Sequence, residues 1–236
     1  MIRAAMFISA LAGPAAAQTF NLPQGCEGYV TIQKRECTVT HNFICATDPE
    51  GYQRRVDLSQ AGMVYMSTID AETQWVESYS PLSGETEILG PVIEDPASFS
   101  DLLEVGADSW NFSTTSDQVG VTQFTGLDRL TGRTVVIDGV QLEETEYEMT
   151  ARNISGQELW RSEGREFINR DWRVFLSGTR QVTSANDSYS RDSTPVEFSF
   201  PGEPGFLAAE PIFDCDVILS SADLVDIPLP TRASAP

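Results

Sequence analysis

The chain has 236 residues, with 15 Lys plus Arg against 35 Asp plus Glu and a formal net charge of −20. This balance repels phosphate backbones and anionic lipid headgroups and argues against nucleic acid as a partner. A single histidine and four cysteines leave little material for metal or nucleophile chemistry.

Residues 1–17 read as a secretory leader. Arg3 supplies a positive start, Ala4 to Ala12 form a short apolar run, and Ala15-Ala16-Ala17 offer a small-residue cleavage site before Gln18. Gly13-Pro14 interrupts the apolar run well short of the roughly twenty residues a spanning helix needs. Position 18 is Gln and not Cys, so there is no thiol for lipid attachment at that point. No later segment approaches about eighteen uninterrupted apolar residues, so no transmembrane segment is expected in the mature chain. Loss of Arg3 with the leader takes the formal charge from −20 to about −21.

Cys26, Cys37, Cys45 and Cys215 all follow the leader, and an even count in an exported chain reads as two disulfides. Four cysteines allow three pairings. Proximity favours Cys37 with Cys45 in a local hairpin and Cys26 with Cys215 stapling the ends. A zinc site is disfavoured, because the cysteines lack short paired spacing and His41 is the sole histidine. His41 beside Asn42 reads as a surface turn, which leaves no histidine placed for a nucleophile triad. Asp48, Glu50, Asp214 and Asp216 could offer oxygen ligands to calcium, but they lack the loop pattern such sites use. No metal or cofactor is expected.

The first helical spacing is Ala97 to Val105, where Phe99, Leu102, Leu103 and Val105 precede Gly106. Elsewhere the period is two. Asp138-Gly139 separates Thr134–Ile137 from Val140–Leu142 as a hairpin turn, and Asn153 to Gly156 and Ser184 to Ser188 mark further turns. Pairing positions around Asn153–Gly156 so that their numbers sum to 309 sets Met149 opposite Trp160, Glu148 opposite Arg161 and Glu144 opposite Arg165. The acidic run Glu143, Glu144, Glu146 and Glu148 then reads as a solvated strand face. Trp172, Val174 and Leu176 alternate, as do Val196, Phe198 and Phe200. Ser221 to Val225 is a weaker helical segment, and residues 228–236 read as a disordered Pro-rich tail.

No nucleotide loop, nucleophile elbow or zinc-protease motif occurs. Two acids distant in sequence could still form a hydrolytic pair without a local signature. The aromatic residues, above all Trp160, Trp172, Phe198 and Phe200, are candidates to line an apolar pocket. The segments Glu166 to Gly178 and Pro195 to Phe206 resemble secreted bacterial proteins of uncharacterised function. That resemblance implies export and brings no activity or catalytic residue with it.

The expected fold is all-β: an antiparallel curved sheet or barrel-like domain over residues 18–227, with one short helix. The expected role is that of a non-catalytic periplasmic or envelope protein, secreted after cleavage near Ala17 and partnered by a small apolar ligand or an envelope protein. The alternatives are a metal-independent carboxylate-pair hydrolase and a pocketless protein-interaction module.

Overall fold

The structure, a computed structural model, describes residues 19–215. The expected leader, the helical segment at Ser221 to Val225 and the Pro-rich tail lie outside the described residues.

Thirteen strands form one antiparallel sheet. They are β1 (Cys26–Lys34), β2 (Thr38–Cys45), β3 (Gln53–Ser59), β4 (Gly62–Ile69), β5 (Trp75–Ser80), β6 (Glu85–Asp95), β7 (Ala107–Ser116), β8 (Gly120–Ile137), β9 (Val140–Asn153), β10 (Glu158–Asn169), β11 (Val174–Ser184), β12 (Ser188–Asp192) and β13 (Pro195–Ser199). From β1 to β12 each strand pairs with the next in sequence, and β13 returns to pair with β1. The two edge strands, β12 and β13, are therefore successive in the chain, joined through Ser193 and Thr194.

That connection curls the sheet toward a barrel without closing it. The Ser193 amide donates to the Gly178 carbonyl of β11 and the Arg35 amide donates to the Thr194 carbonyl, at 2.9 and 3.0 Å. One buried cluster accordingly gathers Val30 and Ile32 from β1, Leu142 from β9, Phe167 from β10, Val174 and Leu176 from β11 and Phe198 from β13. Antiparallel strands at the two ends of a flat sheet could not share a core in this way.

The turns follow from local chemistry. Asp138 and Gly139 both have positive φ, 47° and 79°, as a two-residue turn between twisted strands requires, and Ile137 pairs with Val140 across it. The one α-helix among the described residues, α1 (Phe99–Val105), is capped by Ser98, whose hydroxyl accepts from the Asp101 amide at 3.1 Å, and stopped by left-handed Gly106. Seven residues are too few for a stable helix alone. Burial of Phe99 and Leu102 against Ile168, Leu130 and Phe175 holds it, worth roughly 1.5–3 kcal/mol per side chain.

Three sequence expectations require correction. The disulfides are Cys26–Cys45 and Cys37–Cys215, not Cys37–Cys45 and Cys26–Cys215. Cys37 lies in the β1–β2 turn, at the opposite end of β2 from Cys45, whereas Cys26 and Cys45 are paired neighbours in the ladder. The β9–β10 register sums to 311 over most of its length, so Met149 faces Ser162, Trp160 faces Ala151 and Arg165 faces Glu146. The turn holds one residue more than supposed, with the Asn153 amide donating to the Gln157 carbonyl, and a bulge between Glu158 and Trp160 adds the second step. His41 lies inside β2, fully buried, rather than in a surface turn.

His41 is buried because the terminal segments lie across its face of the sheet. Phe20 stacks on its ring at 5.0 Å, and Thr31 Oγ1 lies 2.9 Å from its Nδ1. The Phe20 amide donates to Leu207 O, the Leu207 amide to Thr31 Oγ1 and the Ile212 amide to Gln33 Oε1, at 2.7, 2.8 and 3.1 Å. Val39, Phe43, Val56 and Leu58 complete a core beneath these segments with Phe20 and Leu22. β1 to β3 are thus buried on both faces.

Candidate functional site

The opposite face of β1 to β3 looks into the curl of the sheet. Lys34, Thr40, Asn42, Arg55 and Asp57 share it, because Thr40 pairs with Asp57 and Asn42 with Arg55 in register. Asp57 is the hub: Thr40 Oγ1 donates to it at 2.6 Å, Arg55 Nη2 lies at 3.3 Å and Lys34 Nζ at 3.5 Å. Burial alone would raise the Asp57 carboxyl, but Arg55, Lys34 and Thr40 together hold it below its ordinary value. Lys34, the only lysine of the chain, is pushed down by burial despite Asp57.

The wall across the curl comes from β7 to β11. Side chains alternate, so Asp108, Trp110, Phe112 and Thr114 of β7 share a face with Thr122, Phe124, Gly126 and Asp128 of β8, their cross-strand partners. Trp110 lies over Gly126, where any side chain would collide with the indole, and its Nε1 donates to Asp128 Oδ2 at 2.9 Å. Trp75, Phe112, Phe124 and Trp160 surround it, with neighbouring centroids 5.4–6.2 Å apart, a spacing typical of tilted and edge-to-face aromatic packing. Trp75 remains 41% exposed.

Beyond Asp128 the same wall becomes ionic. Tyr147 pairs with Asp128 and its hydroxyl lies 2.8 Å from Ser162 Oγ. Glu166 follows on β10, within range of the charges of Asp128, Arg55 and Arg180. Burial is the main force on both acids: it pushes Glu166 up to about 7, with Asp128 adding and Arg55 and Arg180 opposing. It pushes Asp128 up to about 6 against the Trp110 hydrogen bond. Tyr147 is raised to about 12, again chiefly by burial. β9 separates the two acids, and strands two apart stand about 10 Å from each other, so the pair does not share a proton.

Four buried polar atoms lack hydrogen-bond partners among the described residues: His41 Nε2, Asn42 Nδ2, Arg55 Nε and Thr145 Oγ1. Asn42 and Arg55 face each other across β2 and β3, and Thr145 is the register partner of Glu166. Three of the four orphans therefore stand in or beside the ionic centre, where each unmet group costs about 1–3 kcal/mol unless something polar occupies the space.

The residues singled out from sequence are distributed unevenly. Trp172 packs on Phe198 and Phe200 with centroids 6.0 and 5.9 Å away, at the Val30 and Ile32 end of the core. Trp160 stands apart from these three, in the Trp110 cluster. The acidic strand run splits between partners. Glu143 forms a bidentate pair with Arg170, Glu144 is buried and accepts from Thr131, and Glu146 lies 3.6 Å from Arg165. Asp48 is bound by Arg54 through two hydrogen bonds of 2.6 and 2.8 Å. An open trough of about 850 Å³ over β8 to β12 is bounded by Leu127, Glu146, Tyr147, Arg165, Arg180 and Arg191, so Tyr147 and Arg180 of the ionic wall border it. Trp160, Trp172, Phe198 and Phe200 do not border it.

Sequence reasoning missed Lys34, Arg55, Asp57, Asp128, Glu166 and Arg180. A usable signal was present for Asp128: Thr122, Phe124, Gly126 and Asp128 fall on one period-two face, so a carboxylate continues an otherwise apolar row.

Two disulfides point to an oxidising environment for the folded chain. No helix among the described residues is long and apolar enough to cross a membrane. A scan against protein-family models and searches of characterised proteins and solved structures find no match to this chain.

Proposed function

We propose that this is an exported protein of the periplasm or cell envelope, without catalysis of its own, that holds a small amphipathic molecule against the inner face of its curled sheet. Residues 1–17 support export through their leader-like pattern, and two disulfides suit an oxidising compartment. The observation that carries the binding reading is Trp110. Its ring belongs to an aromatic cluster still open to solvent at Trp75, while its N–H engages Asp128 at the border of the ionic centre. An aromatic surface that ends in unsatisfied polar groups suits a ligand with one greasy and one polar end.

Native mass spectrometry of the protein released from the periplasm without detergent tests this. A bound small molecule, displaced by 1-anilinonaphthalene-8-sulfonate together with a change in tryptophan emission, is expected. Protein that carries nothing and leaves both the dye and the tryptophan emission unchanged overturns the reading.

A second reading, hydrolysis by two carboxyl groups, draws on Asp128 and Glu166, whose burial would let one hold a proton near neutrality while the other is ionised. Trp110 already occupies Asp128, and Arg55 and Arg180 flank Glu166, which suits charge recognition better than proton transfer. Turnover of chromogenic esters or glycosides that disappears in Glu166→Gln would favour hydrolysis instead.

A further inference from the structure

The ionic centre sets Lys34, Arg55 and Arg180 against Asp57, Asp128 and Glu166, yet these groups do not all find partners. Lys34 and Arg55 converge on one carboxylate, Asp57. Arg180 has no carboxylate within ion-pair distance among the described residues, yet its charge reaches Lys34, Tyr147 and Glu166. Asn42, only 5% exposed, directs an unpartnered amide nitrogen to the face it shares with Arg55, and Arg55 Nε is itself buried and unpartnered. Two buried donors thus lack an acceptor beside an arginine with no ion-pair partner, and an oxyanion would meet all three. Resting on the binding reading above, we infer that the centre bounded by Arg55, Arg180 and Asn42 recognises the anionic head group of the bound amphiphile, a carboxylate or an ester of sulfate or phosphate.

The arrangement has a chemical logic. Arg guanidinium groups meet a planar or tetrahedral oxyanion through paired N–H donors, and Asn42 adds a neutral donor from the adjacent strand. Glu166 does not cancel the site, because near neutrality part of the population carries a proton there and presents a hydroxyl to the anion instead of a charge. The aromatic cluster starts at Trp110, one cross-strand contact from Asp128, so head and tail would meet their surfaces in sequence along one wall.

The test is a binding comparison at pH 7 among laurate, dodecanol and acetate, read by tryptophan fluorescence and calorimetry. A charged hydrogen bond supplies enough free energy for about a tenfold preference, so laurate is expected to bind at least tenfold more tightly than dodecanol. Arg180→Gln, on an exposed side chain, should erase that preference by weakening laurate, and Arg161→Gln on the opposite face should leave the preference intact. Acetate should bind far more weakly than laurate. Equal affinity for laurate and dodecanol, or a preference that survives Arg180→Gln, overturns the head-group inference and leaves the binding reading standing. Acetate as tight as laurate supports the anion site and overturns the amphiphile. Binding of none of the three overturns both.

Discussion

β1 to β3 and β8 to β11 belong to one sheet, yet they are stabilised differently. The first group is sandwiched between the terminal segments and the inner core, with His41 and Thr31 sealed on one side and Val30 and Ile32 on the other. The second keeps one face in water, where Arg165 and Glu146 meet at 3.6 Å with half of each side chain exposed. Burial on both faces makes the first region depend on covalent and packing constraints. The second depends on cross-strand pairs, each worth a few tenths to about 1 kcal/mol. Catastrophic and graded responses to mutation should therefore segregate between the two.

The largest effect is expected where the terminal segments are tied down. Replacing Cys37 and Cys215 by Ser opens a loop of sequence separation 178, for which the chain-entropy relation gives about 5 kcal/mol. The shorter Cys26–Cys45 bond, with a separation of 19, should cost about 3 kcal/mol by the same relation. Urea unfolding of the two double variants measures the difference, and equal losses would mean that the terminal cover holds without its staple.

An intermediate effect is expected at the ionic centre, and its sign depends on pH. Burial raises Glu166 from 4.5 to about 7. Between those values the folded protein holds a proton that the unfolded chain has released, so this group's contribution to stability is complete below about pH 4.5 and is lost as pH rises through 7. Glu166→Gln, which mimics the protonated form, should stabilise the fold at pH 8 by on the order of 2–3 kcal/mol. The gain should vanish near pH 4. Thermal unfolding across that range decides the matter, and a destabilised variant at pH 8 would show that Glu166 is ionised and paired in the folded state.

The smallest effect belongs to the open face. Reversing Glu146 alone or Arg165 alone should cost less than about 1 kcal/mol, with recovery in the double reversal. Recovery on exchanging Glu148 with Arg161 instead would restore the register that the structure displaces.

The same contrast explains what could be read beforehand. Over long stretches of β8 to β11 charged and apolar side chains alternate, as at Phe124, Met149 and Trp160, so the strands and the Asp138-Gly139 turn were legible from alternation alone. Their pairing was not, because one extra residue in the Asn153 turn and a bulge between Glu158 and Trp160 together shift most partners by two in the sum without changing which residues alternate. Along β1 to β3 the pattern blurs, since Thr31, Gln33 and His41 are buried by segments far away in the chain. No local rule distinguishes such a histidine from one in a turn. The ionic centre was hidden for a related reason: Lys34, Asp57, Asp128 and Glu166 become neighbours only through the curl, and each alone looks like one more surface charge.

The return of β13 to β1 has a consequence for the order of events in synthesis. Ile32 finds Phe198 only after some 160 residues of intervening chain have been made, and contacts so remote in sequence slow assembly. Until that last hairpin arrives, an emerging polypeptide presents β1 with an unsatisfied edge, a liability for aggregation. Oxidation of Cys37 with Cys215 can lock the terminal cover only after this last segment has been made, so the bond records completed synthesis.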